Sequence, residues 1–243
     1  MSGTWETERS GARPSRWGDA GAVAWLREMR DRWRAVGVLG LLEDAVAAVW
    51  ERNVARHDPR VAGDTALTLG LTSSENLRSR LLAVAPEWAE REVRIAAPWN
   101  SLVLAHEGVT LHLMKAPPQH GPAPDWAVLR WQGEVRAAAA EQNGAGYVPA
   151  GGQLTLDGLP APRHPLDEPA GLRHVVLVWT GDPATATTAG WLAVPWEDGA
   201  EPPGRAWLAA TPVWSHGPDD VPAPAPVPAV SIPFSALGDD AVR

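Results

Sequence analysis

The chain contains no cysteine. That excludes disulfide scaffolds, cysteine nucleophiles and thiolate metal sites. No apolar run approaches the roughly 18 residues a spanning helix needs, so no membrane partner is expected. The first 18 residues are polar and lack an apolar h-region, so no secretory signal is expected and the location read from the sequence is cytoplasmic. No block of five like charges occurs, which excludes a basic nucleic-acid arm and an acidic tail. HExxH, HxH, an EF-hand loop, GxSxG and a Walker loop are all missing, so neither a cofactor nor a metal is expected.

Several residue types are scarce. There is one lysine, one tyrosine, one phenylalanine, two isoleucines and four asparagines, against 20 arginines and 14 tryptophans, in 243 residues. GC-rich codons produce that skew, and a high-GC bacterial genome is the expected source. Under such drift an AT-coded side chain that persists is a hint that it matters. The survivors are Lys115, Tyr147, Phe234, Ile95, Ile232, Asn53, Asn76, Asn100 and Asn143. What is present in quantity is ordinary: 45% apolar and 21% charged residues, the balance of a globular protein.

Charge and proline divide the chain. Residues 1–100 hold 14 basic and 14 acidic residues and 4 prolines, whereas residues 101–243 hold 7 basic, 15 acidic and 20 prolines. The first part can be helical; the second reads as short strands and loops. The expected organisation is a disordered leader over 1–18 and a helical subdomain over 19–92. A mainly β subdomain over 93–216 shares its core, and a Pro-rich tail covers 217–243, with VPAPAPVP at 221–228 resembling polyproline.

Trp25, Met29 and Trp33 recur every four residues and predict a first helix over 21–35 with Asp19 as N-cap. Leu39, Leu42, Val46, Val49, Trp50 and Val54 form the stripe of a second helix over 38–56, stopped by Asp58-Pro59. Gly37 and Gly40 allow a short antiparallel connection. Trp25, Trp33 and Trp50 are expected to be buried, and Trp5 and Trp17 to lie in the leader. A third segment spans 63–82, with Thr72-Ser-Ser-Glu75 read as a capping box and Pro86 as the start of one more turn.

The period then changes to two. Strands are expected over 93–95, 101–105 and 109–114. The last alternates buried Val109, Leu111 and Leu113 with outward Thr110, His112 and Met114, and His106-Glu107-Gly108 makes a three-residue hairpin loop. Residues 126–131 fit a strand or a helix, and 134–142 a helix ending at Asn143-Gly144. HVVLVWT at 174–180 has the unbroken apolar character of a central strand, with further strands at 190–194 and 206–210. The fold class is therefore α+β: a helical N-terminal subdomain on a Trp-rich, mainly antiparallel mixed sheet.

Two groups of residues carry candidate chemistry. In 63–82, Ala66, a turn at Gly70 and a recognition helix from Leu71-Thr72 resemble a helix-turn-helix, with Thr72, Asn76, Arg78 and Arg80 as the nucleic-acid-binding residues. Asn76 stands where that pattern wants an apolar residue, and the local charge is balanced rather than basic. The second group is Lys115 with Glu107, His112 and Glu134, in which a desolvated lysine beside a carboxylate supplies a base, a Schiff-base former or a phosphate ligand. Glu134 and Glu141 share a helix face with Arg136 near, and His164, Asp167, Glu168 and His174 are the only residues resembling a metal set.

The function expected from this balance is a non-enzymatic regulatory or interaction protein, with a protein partner or DNA as its target. The alternative is an enzyme acting on nucleotides or nucleic acid through Lys115 and its neighbours.

Overall fold

A computed structural model describes residues 18–117, 123–131, 133–149, 171–198 and 205–215. Three helices come first: α1 (Ala20–Ala35), α2 (Val38–Arg56) and α3 (Ala66–Ala89). Then follow β1 (Arg94–Ala96), β2 (Val103–His106), β3 (Val109–Lys115), α4 (Glu134–Gly146), β4 (His174–Gly181), β5 (Thr188–Glu197) and β6 (Arg205–Ser215). The strands form one sheet in sequence order. Every neighbouring pair is antiparallel except β3 and β4. The parallel pair requires a crossover, and α4 lies within it. The class is α+β, as the sequence predicts.

The first two helices begin where their caps dictate. Asp19 accepts from the Ala22 amide at 2.9 Å, and Gly37, at φ 88°, makes the left-handed step from α1 into α2 that a side chain would oppose. Trp25, Trp33 and Trp50 are all buried. They join one apolar core that also contains Leu104, Leu111, Leu177, Leu192 and Leu208 from the sheet. Helices and strands therefore bury against each other in a common layer.

The third helix departs from expectation. It runs unbroken through Gly70, so the turn of a helix-turn-helix is not formed. Its cap is Thr65, whose hydroxyl accepts from the Thr68 amide at 3.1 Å while the Thr68 hydroxyl accepts from the Thr65 amide at 2.8 Å. The Thr72–Glu75 capping box is thus an accident of spacing inside a helix. An interior glycine costs a helix only about 1 kcal/mol, which the burial of Leu69, Leu77 and Leu81 readily offsets. Pro86 does not open a new turn but sits inside the helix near its end, where it forfeits its own amide bond to the preceding turn.

The β2–β3 hairpin is tighter than predicted. His106 pairs with Val109, leaving a two-residue loop of Glu107 (φ 46°) and Gly108 (φ 76°), the positive-φ pair of a type I′ turn. β3 is also more deeply buried than its alternation suggests. His112 and Met114 are as covered as Leu113, because α4 and the segment around Leu129–Trp131 pack on that face. Residues 126–128 form a turn, neither strand nor helix. Asn143 ends nothing: α4 continues to Gly146. The leader, the Pro-rich tail, Trp5, Trp17 and the His164–Glu168 group lie outside the described residues, as residues 1–17, 151–170 and 216–243 all do.

Candidate functional site

The sheet is uneven at one corner. β2 pairs with β3 only from His106/Val109 to Val103/His112, with one further bond from the Leu113 amide to the Leu102 carbonyl. Beyond that, Met114 and Lys115 have β4 on one side and no strand of the described residues on the other. This corner is the carboxyl end of the one parallel pair among the described strands. A cavity of about 220 Å³ opens there, between α3, the stretch before β2 and the end of β3.

Lys115 enters it from β3, across from Trp179 of β4. The strand alternation places Lys115 on the α1–α3 side, with Leu111 and Leu113. Its Nζ lies 5.0 Å from the Trp50 ring centre and 5.3 Å from that of Trp179. The two rings meet edge to face at 6.0 Å, and Trp50 Nε1 donates to the Asp182 carbonyl at 3.2 Å, which fixes the pair. Such a cation over an indole face gains about 0.5–2 kcal/mol. Among the described residues Lys115 has no ion pair and no hydrogen bond. Burial holds its pKa below the ordinary lysine value.

Two further cations reach the same cavity. Arg136, from the first turns of α4, donates to the Leu113 carbonyl at 3.2 Å on the unpaired edge of β3. Arg78, from α3, is paired with Glu75 through Nη2, but its buried Nε has no hydrogen-bond partner among the described residues. Asn100 and Ser101 supply neutral polar groups, and Leu77, Leu102, Met114 and Trp179 supply apolar wall. Asn100 and its neighbour Trp99 both have positive φ, at 61° and 49°. Two successive non-glycine residues in that region cost of order 1–3 kcal/mol each. The cavity therefore holds three cationic side chains and one carboxylate, already engaged.

The residues predicted to act with Lys115 are not assembled around it. Glu107 sits in the hairpin loop at the other end of β3, 3.4 Å from Arg32 Nη1 and 3.9 Å from His106 Nε2. Glu134 is exposed in the first turn of α4. His112 faces the opposite side of the sheet. There its Nε2 lies 3.1 Å from His174 Nδ1, and His174 Nε2 lies 2.9 Å from Gln142 Oε1. Burial first, then His174 and Arg136, lower the His112 pKa to about 3. Burial, then Arg173, lowers that of His174. The pair is a neutral hydrogen-bonded strut.

Of the four residues assigned to nucleic acid, Thr72, Asn76 and Arg80 recur every four residues and share a face of α3, whereas Arg78 is turned away from them. Asn76 donates to Asn53 Oδ1 at 2.9 Å, and Arg80 borders a second cavity against α2. Thr72 is exposed, and Arg78 belongs to the Lys115 cavity.

Trp50, Trp179, Asn100, Ser101 and Arg136 were not foreseen as partners of Lys115. Asn100 carried a compositional signal; the others carried none, since their meeting is tertiary. No candidate metal cluster exists among the described residues, and no helix there is long and apolar enough to cross a membrane. No protein family, no curated protein and no solved structure matches this chain.

Proposed function

We propose that this is a non-enzymatic regulatory protein that senses a small organic anion at the Lys115 cavity. The observation that carries the reading is the half-buried Lys115 ammonium, caged by Trp50 and Trp179 and lacking an anionic partner among the described residues. A charge withdrawn from water without a counter-ion is costly, and a bound anion removes that cost. The neighbouring Arg78 Nε, an orphaned donor, supports the same reading. The apolar wall and a cavity of about 220 Å³ favour a small carboxylate with a compact apolar body.

Calorimetry of the whole chain against a panel of small monocarboxylates and dicarboxylates, each paired with its neutral amide, tests this. A carboxylate that binds wild type, with its amide and the Lys115→Met protein both silent, supports the reading. Failure of every carboxylate, or equal binding by Lys115→Met, overturns it.

The lowered pKa of Lys115 favours one enzymatic alternative. A neutral amine adds to a carbonyl and loses water to give an imine, so an oxo-acid ligand would be held covalently. Borohydride reduction in the presence of a 2-oxo acid separates the two: a stable adduct on Lys115 indicates the enzyme, and its absence with binding retained indicates the sensor.

A further inference from the structure

A second cavity, of about 230 Å³, lies between α2 and α3 on the side away from the Lys115 corner. Arg52 and Arg56 border it from α2, and Arg80 from α3. Asn53, Asn76 and Ser79 complete its polar lining. None of the three arginines has an ion pair or hydrogen bond among the described residues. Arg52 and Arg56 are four apart on one helix face, where like charges oppose each other.

The floor is built rather than incidental. Asn53 is 5% exposed. Its Nδ2 donates to Ser73 Oγ at 3.1 Å, and its Oδ1 accepts from Asn76 Nδ2 at 2.9 Å. Ser73 Oγ in turn donates to the Leu69 carbonyl at 2.7 Å. This chain crosses the α2–α3 seam and fixes the two helices, so the arginines stand on a rigid base. Asn53 and Asn76 are two of only four asparagines in the chain.

We propose that this cavity binds a phosphate dianion, either free phosphate or the phosphoryl group of a small molecule. Arg52, Arg56 and Arg80, all exposed, border one cavity from two helices and carry the forked donors that suit tetrahedral oxyanions. Val49 and the aliphatic stems of the arginines supply the apolar part of the lining, and the guanidinium heads, Asn53, Asn76 and Ser79 the polar part. The chain's net charge of −8 argues against an extended nucleic acid, whose affinity depends on neutralising many phosphates. The site has no lining residue in common with the Lys115 cavity, although α2 and α3 serve both.

Calorimetry of the whole chain at constant ionic strength provides the test, with inorganic phosphate, pyrophosphate and a small phosphomonoester as titrants and chloride as the control anion. Phosphate that binds wild type more than chloride does, and a Lys115→Met protein equally well, is the expected result. Arg56→Gln with Arg80→Gln should weaken phosphate by at least about tenfold, the equivalent of one lost charge-assisted hydrogen bond. Preference of the phosphomonoester over free phosphate identifies a small phosphorylated ligand; the reverse identifies phosphate itself. Binding no stronger than chloride, or unchanged in a doubly substituted protein whose circular dichroism matches wild type, overturns the proposal. Tighter binding by a DNA duplex, with a steep salt dependence, overturns it as well.

Discussion

The two faces of the sheet use polar residues in opposite ways. On the α4 face, Asn143 is fully buried, and its Nδ2 donates to the His174 and Pro195 carbonyls at 2.9 and 2.8 Å. Its Oδ1 accepts from the Arg173 and His174 amides at 3.0 and 3.1 Å. With the His112–His174–Gln142 chain, this stitches α4 to β4 and β5, and Gly144 lets the backbones approach where a Cβ would strike the Glu197 carbonyl. The helical face is different. Its core is apolar, and at its edge stands a cation with aromatic neighbours but no partner. The contrast is one of degree: His112 Nδ1 and Trp131 Nε1 on the α4 face, and Trp33 Nε1 and Arg78 Nε on the helical face, are buried without a hydrogen-bond partner among the described residues, but only on the helical face is the unpaired group a half-buried ammonium.

That contrast breaks most sharply in the fixed parts. Asn143→Ala removes four hydrogen bonds and leaves buried backbone groups unpaired, so a loss of about 3–5 kcal/mol in urea denaturation is expected. Trp33→Ala, at a residue 1% exposed in the helical core, should cost a similar ~3–5 kcal/mol. A loss under about 1 kcal/mol for either would mean that these residues do not anchor their faces.

The histidine strut gives a pH dependence of known sign. His112 is neutral in the folded state down to about pH 3, whereas an unfolded histidine takes up its proton near pH 6.5. Between those values the unfolded state binds more protons, so stability falls as pH drops, by about 1.4 kcal/mol per pH unit from this residue. The loss begins near 6.5 and is complete near 3. His174, lowered by burial, adds in the same direction. His112→Leu should flatten the profile between pH 7 and 5; an unaltered slope would place the proton uptake elsewhere.

Smaller effects belong to the open corner. Lys115→Met should leave stability unchanged or raise it by up to about 1 kcal/mol, since the cost of burying the amine is set against its contacts with two indole rings. Smallest of all is Trp99→Ala, at a side chain 87% exposed, where the urea midpoint should barely move.

Legibility followed the same division. The helices α1 and α2 were readable to within a residue because each has one apolar stripe and a clear stop. The continuity of α3 was not, because Gly70 and the Thr72–Glu75 spacing mimic a boundary that tertiary burial overrides. The two-sided burial of β3 was hidden because α4 returns to it from further along the chain. Lys115, Asn53, Asn76, Asn100 and Asn143 each have a defined structural place, and Tyr147 donates to Asp19. The partners of Lys115 could not be read, since Trp50, Trp179 and Arg136 reach it from three separate elements.

The central claim is that the Lys115 corner is unfinished without an anion. Titrating wild type and Lys115→Met with the same carboxylate panel in one calorimetric series tests it most directly. Saturable binding to wild type that vanishes in Lys115→Met, with both proteins unfolding at similar urea concentrations, is the predicted result. A wild-type protein that takes up no carboxylate, or a Lys115→Met protein that takes it up equally well, would contradict the account.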